Sequence, residues 1–477
     1  MPGAETHPPL YVDLDGTLVS TDTLDECLLR LVVHRPLMLF LLPLWLFGGK
    51  AYFKDRVAAA SAYLLGQLPF RESVLSYVRE QANGARPVVL ATAANYRIAK
   101  RVSNELGLFT DVIASDAQAN LSRERKLAKI REHSAGVPFA YIGDHRQDIP
   151  IWLSAERAIV VDGPQALQDQ LREVPDVIVL PAGRKPMARD WFGQLRCRQW
   201  SKNLLLIVPL ILAHKVTSLP AVLACLVAFV AFSLTASAAY IGNDLLDLPF
   251  DREHPRKRQR PLASGMISIR SALAVALGLL AGALGISLLL LPATFAWMLL
   301  GYLALNFCYS VWLKRVAVLD VMLLAGFYVY RVLIGAAAIQ VVISPWLLAF
   351  SMFFFLGLGM LKRFADLVLA AKAEQTTVAG RSYVTADIDF FRSVGTASSC
   401  VAVLVLALYL QSQEVTKLYA HPQLLWFVCL LVLYWSLRAW FVAQRGQMPD
   451  DPISFALRDP VSYLVAALTV VLLMVAA

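Results

Sequence analysis

Charge is scarce in this chain. Asp, Glu, Lys and Arg supply 17% of its 477 residues against a hydrophobic share of 58%, and the mean hydropathy is +0.57. Soluble domains carry about a quarter charged residues, so part of this chain must meet something other than water. Cysteine is also thin. Cys27, Cys197, Cys225, Cys308, Cys400 and Cys429 stand far apart, which excludes the close pairs that zinc and dithiol motifs need. No basic stretch followed by an apolar one occurs over Met1 to Pro9, so a cleaved secretory signal is not expected there and the front end is expected in the cytosol. Acidic residues are outnumbered, giving a net charge of +9, but many of the Lys and Arg residues fall in short segments between apolar runs. That pattern argues for a membrane boundary and against nucleic acid as a partner.

The oil is unevenly spread and concentrates after about residue 203. Ahead of it, Leu10 to Leu14, Pro87 to Thr92, Ala140 to Gly143 and Ala158 to Val161 read as short buried strands separated by helical stretches. Such alternation predicts a Rossmann-like parallel α/β domain over residues 1–183. The gap between the first and second strands is too long for a simple crossover, so a helical cap is expected over about 18–85. Within it, Pro36 to Phe47 is almost wholly apolar yet too short to cross a bilayer. It fits cap core and interfacial segment equally.

After a basic and aromatic stretch at 184–202, suited to lying on headgroups, residues 203–477 predict an all-α polytopic membrane domain of about nine helices. The segments run near 204–214, 220–241, 269–290, 293–312, 317–339, 345–361, 391–411, 422–441 and 460–477. Basic residues collect after the even-numbered spans, as at Lys314 with Arg315 and at Lys362, Arg363, Lys372 and Arg381, whereas the opposite loops hold little beyond Lys215 and Lys417. The asymmetry predicts a cytosolic amino terminus and a multi-pass protein of the inner membrane.

Chemistry begins at Asp13-Leu14-Asp15-Gly16-Thr17, directly after the first strand. Carboxylates there point into the region where open α/β sheets hold ligands, and one can attack phosphorus while the other manages a proton. Asp-Gly is also an ordinary turn signal, so that motif alone decides nothing. Thr92 after Val88-Val89-Leu90-Ala91, then Lys126, then Gly143-Asp144-His145-Arg146-Gln147-Asp148 follow in order. Together they resemble the haloacid dehalogenase-like hydrolase superfamily over roughly residues 10–180. The resemblance implies Asp13 as phosphoryl-accepting nucleophile, Asp15 as general acid and base, and Thr92 and Lys126 as phosphate-binding groups. It also implies Asp13 and Asp144 as Mg²⁺ ligands, with Asp148 a ligand or supporting carboxylate. Arg123, Arg125 and Lys129 are near enough in sequence to take the part of Lys126.

A second acidic set is Asn243, Asp244, Asp247 and Asp251, whose spacing puts three carboxylates along one face if the helix continues past Gly242. Like charges so arranged repel unless cations sit among them. Arg252, His254, Arg256, Lys257, Arg258 and Arg260 follow at once. These residues resemble the UbiA superfamily of intramembrane prenyltransferases over about residues 193–477. Asp251 to Pro261, Arg198 to Asn203 and Lys362 to Asp366 look like the branch that makes decaprenylphosphoryl phosphoribose. That implies transfer of 5-phosphoribose from phosphoribosyl pyrophosphate to a polyprenyl phosphate. Asp244, Asp247 and Asp251 would bind Mg²⁺ with help from Asn243, and Arg252, Lys257, Arg258, Arg260, Arg331, Lys362 and Arg363 would hold phosphates. Lys202, Tyr328 and Asp366 are further substrate-binding candidates. Arg331 is costly in lipid and is expected to face a cavity; its pairing with Asp320 on the same helix fails on spacing. The late cluster Arg445 to Pro452 resembles the same branch but is also an ordinary loop.

Adjacency then suggests that the front domain removes the 5-phosphate, leaving a polyprenylphosphoryl ribose for cell-envelope pentose donors. The alternative is a UbiA-type aromatic prenyltransferase using a polyprenyl diphosphate, fused to a phosphatase of unrelated substrate. A non-catalytic scaffold or transporter leaves the spaced aspartates unexplained. Partners expected are the two substrates and the lipid bilayer, with an oligomer allowed.

Overall fold

The structure is a computed structural model that describes residues 8–372, 374, 376, 383–412, 419–448 and 452–476. Arg381, Lys417 and residues 449–451 of the late cluster lie outside the described residues. Two compact units result, and they do not follow chain order: one comprises Met1–Leu195 with Tyr240–Val275, the other Arg196–Ala239 with Ala276–Ala477. The boundaries thus differ from a simple cut near residue 203, because the acidic motif and its basic loop group with the front domain.

In the first unit, strands β1 (Leu10–Val12), β2 (Val88–Asn95), β3 (Asp111–Ser115), β4 (Ala140–Gly143), β5 (Arg157–Val161) and β6 (Asp176–Leu180) form one parallel sheet ordered β3-β2-β1-β4-β5-β6. The period-two alternation of a strand sorts its side chains between two cores. Leu10, Val12, Val88, Leu90, Ala140 and Ile142 enter the core on the cap side; Tyr11, Val89, Ala91, Tyr141 and Val160 enter the other. Edge strands β3 and β6 open on Asp111 and Asp176 and are only partly buried, and the pattern reading did not pick them out. Strand order reverses between β1 and β4, so the carboxyl ends of those two strands flank the crevice where such sheets bind ligands.

Helices α1 (Thr23–His34), α2 (Leu42–Phe47), α3 (Lys50–Ser61) and α4 (Glu72–Asn83) lie between β1 and β2, with a 3₁₀ helix over Pro36–Leu41. They account for the long gap. The Asp22 carboxylate accepts from the Leu24 amide and starts α1, whose Cys27 and Leu31 then pack in one core with Val57 and Ala58 of α3. Later come α5 (Tyr96–Leu106) and α6 (Glu124–Ser134).

Among the described residues, seven helices are long and apolar enough to cross a membrane: Leu219–Leu246, Ile269–Leu290, Ala293–Val311, Leu319–Ala338, Pro345–Lys372, Thr385–Leu410 (counting its 3₁₀ first turn) and Pro422–Gln444. Each matches an apolar run read from the sequence. The other two expected segments take different forms. The first becomes a 3₁₀ helix, Cys197–Ile207, followed by the five-residue helix Val208–Leu212, and the last is the 17-residue helix Pro460–Ala476. Pro209 at the start of Val208–Leu212 lacks the amide that a continuing helix would use. Tight packing in the second unit depends on small residues, since a Cβ on Gly395 would lie 2.3 Å from the Trp440 ring.

Candidate active sites

The first site is assembled by the sheet from distant parts of the chain. β1 delivers Asp13 and Asp15, and β4 delivers Asp144 and Asp148 beyond its carboxyl end. Gly16 turns the loop with φ of +76°, and a Cβ there would lie 2.3 Å from Asp144 Oδ2, so only glycine admits this approach. Lys126 on α6 is buried and reaches Asp13 Oδ2 at 3.1 Å, Asp148 Oδ1 at 3.0 Å and the Tyr141 hydroxyl at 2.6 Å. Arg123, Arg125 and Lys129 are exposed on the same segment. Burial works against the lysine's charge, but Asp13 and Asp148 outweigh it and hold the ammonium above the ordinary lysine range.

Asp15 accepts from the Thr23 amide at 2.9 Å, at the start of α1. Burial, reinforced by Asp22, pushes its pKa up to about 7, a value suited to giving and taking a proton near neutrality. Burial and the Asp13 charge raise Asp144 to about 7 as well. Asp13 itself is raised, chiefly by burial. Thr92 is fully buried within β2, where the strand register shifts between Ala91 and Asn95, and its hydroxyl accepts from the Ala94 amide at 3.0 Å.

Ligand atoms of Asp13, Asp144 and Asp148 lie within 4.8 Å of one another, the single such group found among the described residues. All are hard oxygen donors, and Asp148 Oδ2 is buried without a hydrogen-bond partner. Those features fit a small divalent cation. Sequence reasoning missed Thr17, which donates to Asp144 Oδ1 at 3.0 Å, and Tyr141, which donates to Asp148 Oδ1 at 3.0 Å. It also missed Lys54, whose ammonium donates to the Ala93 carbonyl beside Asp15 in a small crevice lined also by Thr23 and Asn95. Lys54 stands beside Lys50, Asp55 and Arg56 in α3, so no local pattern in the sequence singled it out.

The second acidic set belongs to the same compact unit. The helix Leu219–Leu246 runs past Gly242, breaks at Asp247, and resumes as Leu248–Glu253 with Pro249 in its first turn. Even so, the Asp247 amide donates to the Asn243 carbonyl and the Asp251 amide to that of Asp247, both at 2.9 Å, so a helical spacing persists through the break. Asp244 and Asp251 are buried and share one guanidinium: Arg260 Nη1 is 3.2 Å from Asp244 Oδ1 and 2.6 Å from Asp251 Oδ2. Lys257 adds a longer contact of 3.7 Å to Asp251. Gln194, in the stretch read as a linker, donates to Asp244 Oδ2 at 2.8 Å. Among the described residues, Asp244, Asp247 and Asp251 do not form a gathered metal-type group, and Arg260 is the counter-ion of Asp244 and Asp251. Lys257 and Arg258 are exposed.

Arg252 departs from its expected part as a phosphate holder. It is buried, and Nη2 and Nη1 donate to Glu26 of α1 at 2.6 and 3.2 Å, Nη1 to the Gln67 carbonyl at 3.1 Å, and Nε to the Ala263 carbonyl at 3.0 Å. All three guanidinium nitrogens donate. Arg270 meanwhile binds Asp22, the cap of α1, at 2.8 Å and Asp25 within that helix at 2.7 Å, and the Ser20 hydroxyl donates to the Ser264 carbonyl at 3.1 Å.

In the second unit, Arg331 is buried, with Nε donating to Asn203 at 3.0 Å and Nη1 to the Phe327 carbonyl at 2.6 Å, and with its guanidinium over the rings of Phe232, Tyr302 and Tyr328. Lys202 lies 5.9 Å from the centre of the Tyr328 ring. Asp320 pairs with Arg363, whose Nε is 2.9 Å away, and Arg363 Nη1 contacts Asp366 at 3.1 Å. Arg363, expected to hold phosphate, is thus already neutralised by two carboxylates, and half-buried Lys362 precedes it on the helix.

A profile of the UbiA prenyltransferase family matches residues 204–458, and one of haloacid dehalogenase-like hydrolases matches residues 10–152. An uncharacterised protein of Sinorhizobium fredii is 37% identical over 463 residues, spanning 96% of this chain and 89% of its own length. A decaprenyl-phosphate phosphoribosyltransferase of Mycobacterium tuberculosis is 32% identical over 282 residues, which is 57% of this chain and 89% of that protein. Among solved structures, a UbiA homolog from Archaeoglobus fulgidus bound to GPP and Mg²⁺ is similar with a TM-score of 0.44 at 18% identity, covering 59% of this chain and 99% of that one.

Proposed function

Because the chain belongs to the UbiA prenyltransferase family and carries a haloacid dehalogenase-like hydrolase domain ahead of it, we propose that it is a bifunctional membrane enzyme acting twice on one lipid. Its transferase half moves 5-phosphoribose from phosphoribosyl pyrophosphate to a polyprenyl phosphate. Its hydrolase half then removes the 5-phosphate. The observation that carries this reading is the basic loop beside the acidic motif: two buried aspartates on Arg260, with Lys257 and Arg258 exposed next to them, in a chain similar to a phosphoribosyltransferase of the same lipid class. A donor with a pyrophosphate and a 5-phosphate, meeting a lipid phosphate, needs that many cations.

In the transfer, an oxygen of the lipid phosphate forms a bond to the anomeric carbon as the bond from that carbon to pyrophosphate breaks. Asp244, Asp247 and Asp251 are the carboxylates that would hold Mg²⁺, which would neutralise the departing pyrophosphate. Lys257 and Arg258 bind donor phosphates. In the hydrolysis, the Asp13 carboxylate attacks phosphorus and the bond to the ribose 5-oxygen breaks. Asp15 gives that oxygen its proton, then takes one from the water that releases orthophosphate. Asp13, Asp144 and Asp148 would hold a second Mg²⁺, and Lys126 keeps the attacking carboxylate in place. Both sites would face the cytosol at the inner membrane.

The test is purified protein in vesicles with labelled phosphoribosyl pyrophosphate and polyprenyl phosphate, read by mass spectrometry of the lipids. Asp13→Asn is expected to accumulate the phosphorylated lipid, and Asp247→Ala to form neither lipid product. An Asp13→Asn variant that still yields the dephosphorylated lipid detaches the front domain from this sequence. Turnover of a prenyl diphosphate with an aromatic acid, in place of the ribose donor, would replace the transfer reading.

A further inference from the structure

Residues 36–47 form the most apolar surface of the cap. Leu37, Phe40, Leu44, Leu46 and Phe47 are 78%, 80%, 63%, 62% and 89% exposed. The segment is two-sided, because Met38, Leu42 and Trp45 turn inward onto the cap core and fix its orientation. A row of large side chains held outward by its own anchors is a built surface and not a frayed loop.

Charge identifies the occupant. Between Glu26 and Asp55 the sequence holds no acidic residue. Exposed Arg35 precedes the apolar face and exposed Lys50 follows it, while exposed Arg56 lies across from it on α3. The Arg56 guanidinium is held over the rings of Trp45 and Tyr52 at 5.6 and 6.0 Å, and that of Arg35 over Tyr63 at 5.5 Å. An apolar face rimmed by ring-held cations matches the boundary between acyl chains and anionic headgroups. The bilayer is also always at hand, because the same chain spans it.

We propose that the outward face of residues 36–47 is a membrane-docking surface of the cap, seated in the headgroup layer of an anionic bilayer, and that it brings the Asp13 site to phosphate esters carried on lipid. The second clause rests on the function proposed above; the first does not. The closing experiment separates them. Full-length protein in vesicles of phosphatidylethanolamine and phosphatidylglycerol, doped with a lipid bearing a photoreactive acyl chain, is irradiated, digested and mapped by mass spectrometry. Adducts are expected on the peptide from Pro36 to Lys50 at a yield near that of the span Ile269–Leu290, and not on the exposed surface around Val137. An unlabelled 36–50 peptide overturns the docking surface, as does disulfide capture of a second copy through Phe40→Cys in place of lipid adducts.

A combined Leu37→Glu, Phe40→Glu and Phe47→Glu variant, altered only at exposed positions, then reads the consequence. Its kcat/KM on a lipid-borne phosphomonoester is expected to fall by about tenfold or more, with turnover of a water-soluble phosphomonoester unchanged. Equal loss on both overturns the proposal, since the face would then serve the cap's own fold. Lipid adducts on 36–50 together with no activity on any lipid phosphomonoester would keep the docking surface and sink the functional reading.

Discussion

Two aspartate clusters of one compact unit are built by opposite means. The Asp13 cluster is drawn together by strand register: β1 and β4 are paired neighbours, so residues more than a hundred positions apart finish side by side around one lysine. The Asp244 cluster is drawn from a single helix and its continuation, and its charge is balanced by Arg260 from the loop that follows. A sheet-built site is rigid and tolerates no added atom at Gly16; a helix-built one depends on the segment that folds back over it. Position is therefore secured by the core in the first case and by counter-ions in the second.

Four experiments break or sharpen that contrast, in order of expected effect. Asp13→Asn removes the proposed nucleophile, so dephosphorylation should drop by about 1000-fold or more while transfer continues; loss of both activities would mean the sites are not separate. Chelation should stop both reactions and added Mg²⁺ restore them, and an unchanged transfer rate under chelator would mean that side-chain cations such as Arg260 and Lys257 balance Asp244 and Asp251 without metal. Lys126→Met strands Asp13 and Asp148 without their buried cation and should destabilise the front domain by about 3–5 kcal/mol in the absence of metal, seen as faster amide exchange in β1 and β4. Smallest is Thr17→Val, which deletes one hydrogen bond to Asp144 and should cost about 1 kcal/mol, with a several-fold loss of phosphatase rate and none of transfer.

Much of this was legible in the sequence, for identifiable reasons. Central strands buried on both faces are continuous apolar runs, so β1, β4 and β5 stood out, while β3 and β6 begin on exposed or half-exposed aspartates and were lost. The long spans announced themselves by length alone. Motif spacing led to Asp13, Asp144, Asp148 and Lys126, which the fold brings within contact. Arg252 shows the limit. Sequence marks a cation beside an acidic motif but not which carboxylate will claim it, and here the claimant is Glu26, more than two hundred residues earlier. Asp320 and Arg363 likewise meet from different helices, so no local spacing could pair them.

The Glu26–Arg252 contact bears on how such a fused protein can change over time. Both partners are almost fully enclosed, and a lone charge left in that place is penalised far more than the pair is rewarded. Once the hydrolase cap and the acidic loop had come to depend on each other in this way, swapping either segment for one that covers the same place without the matching charge would strand the other partner. Fusion of the two enzymes would then act as a ratchet, easy to enter and hard to reverse.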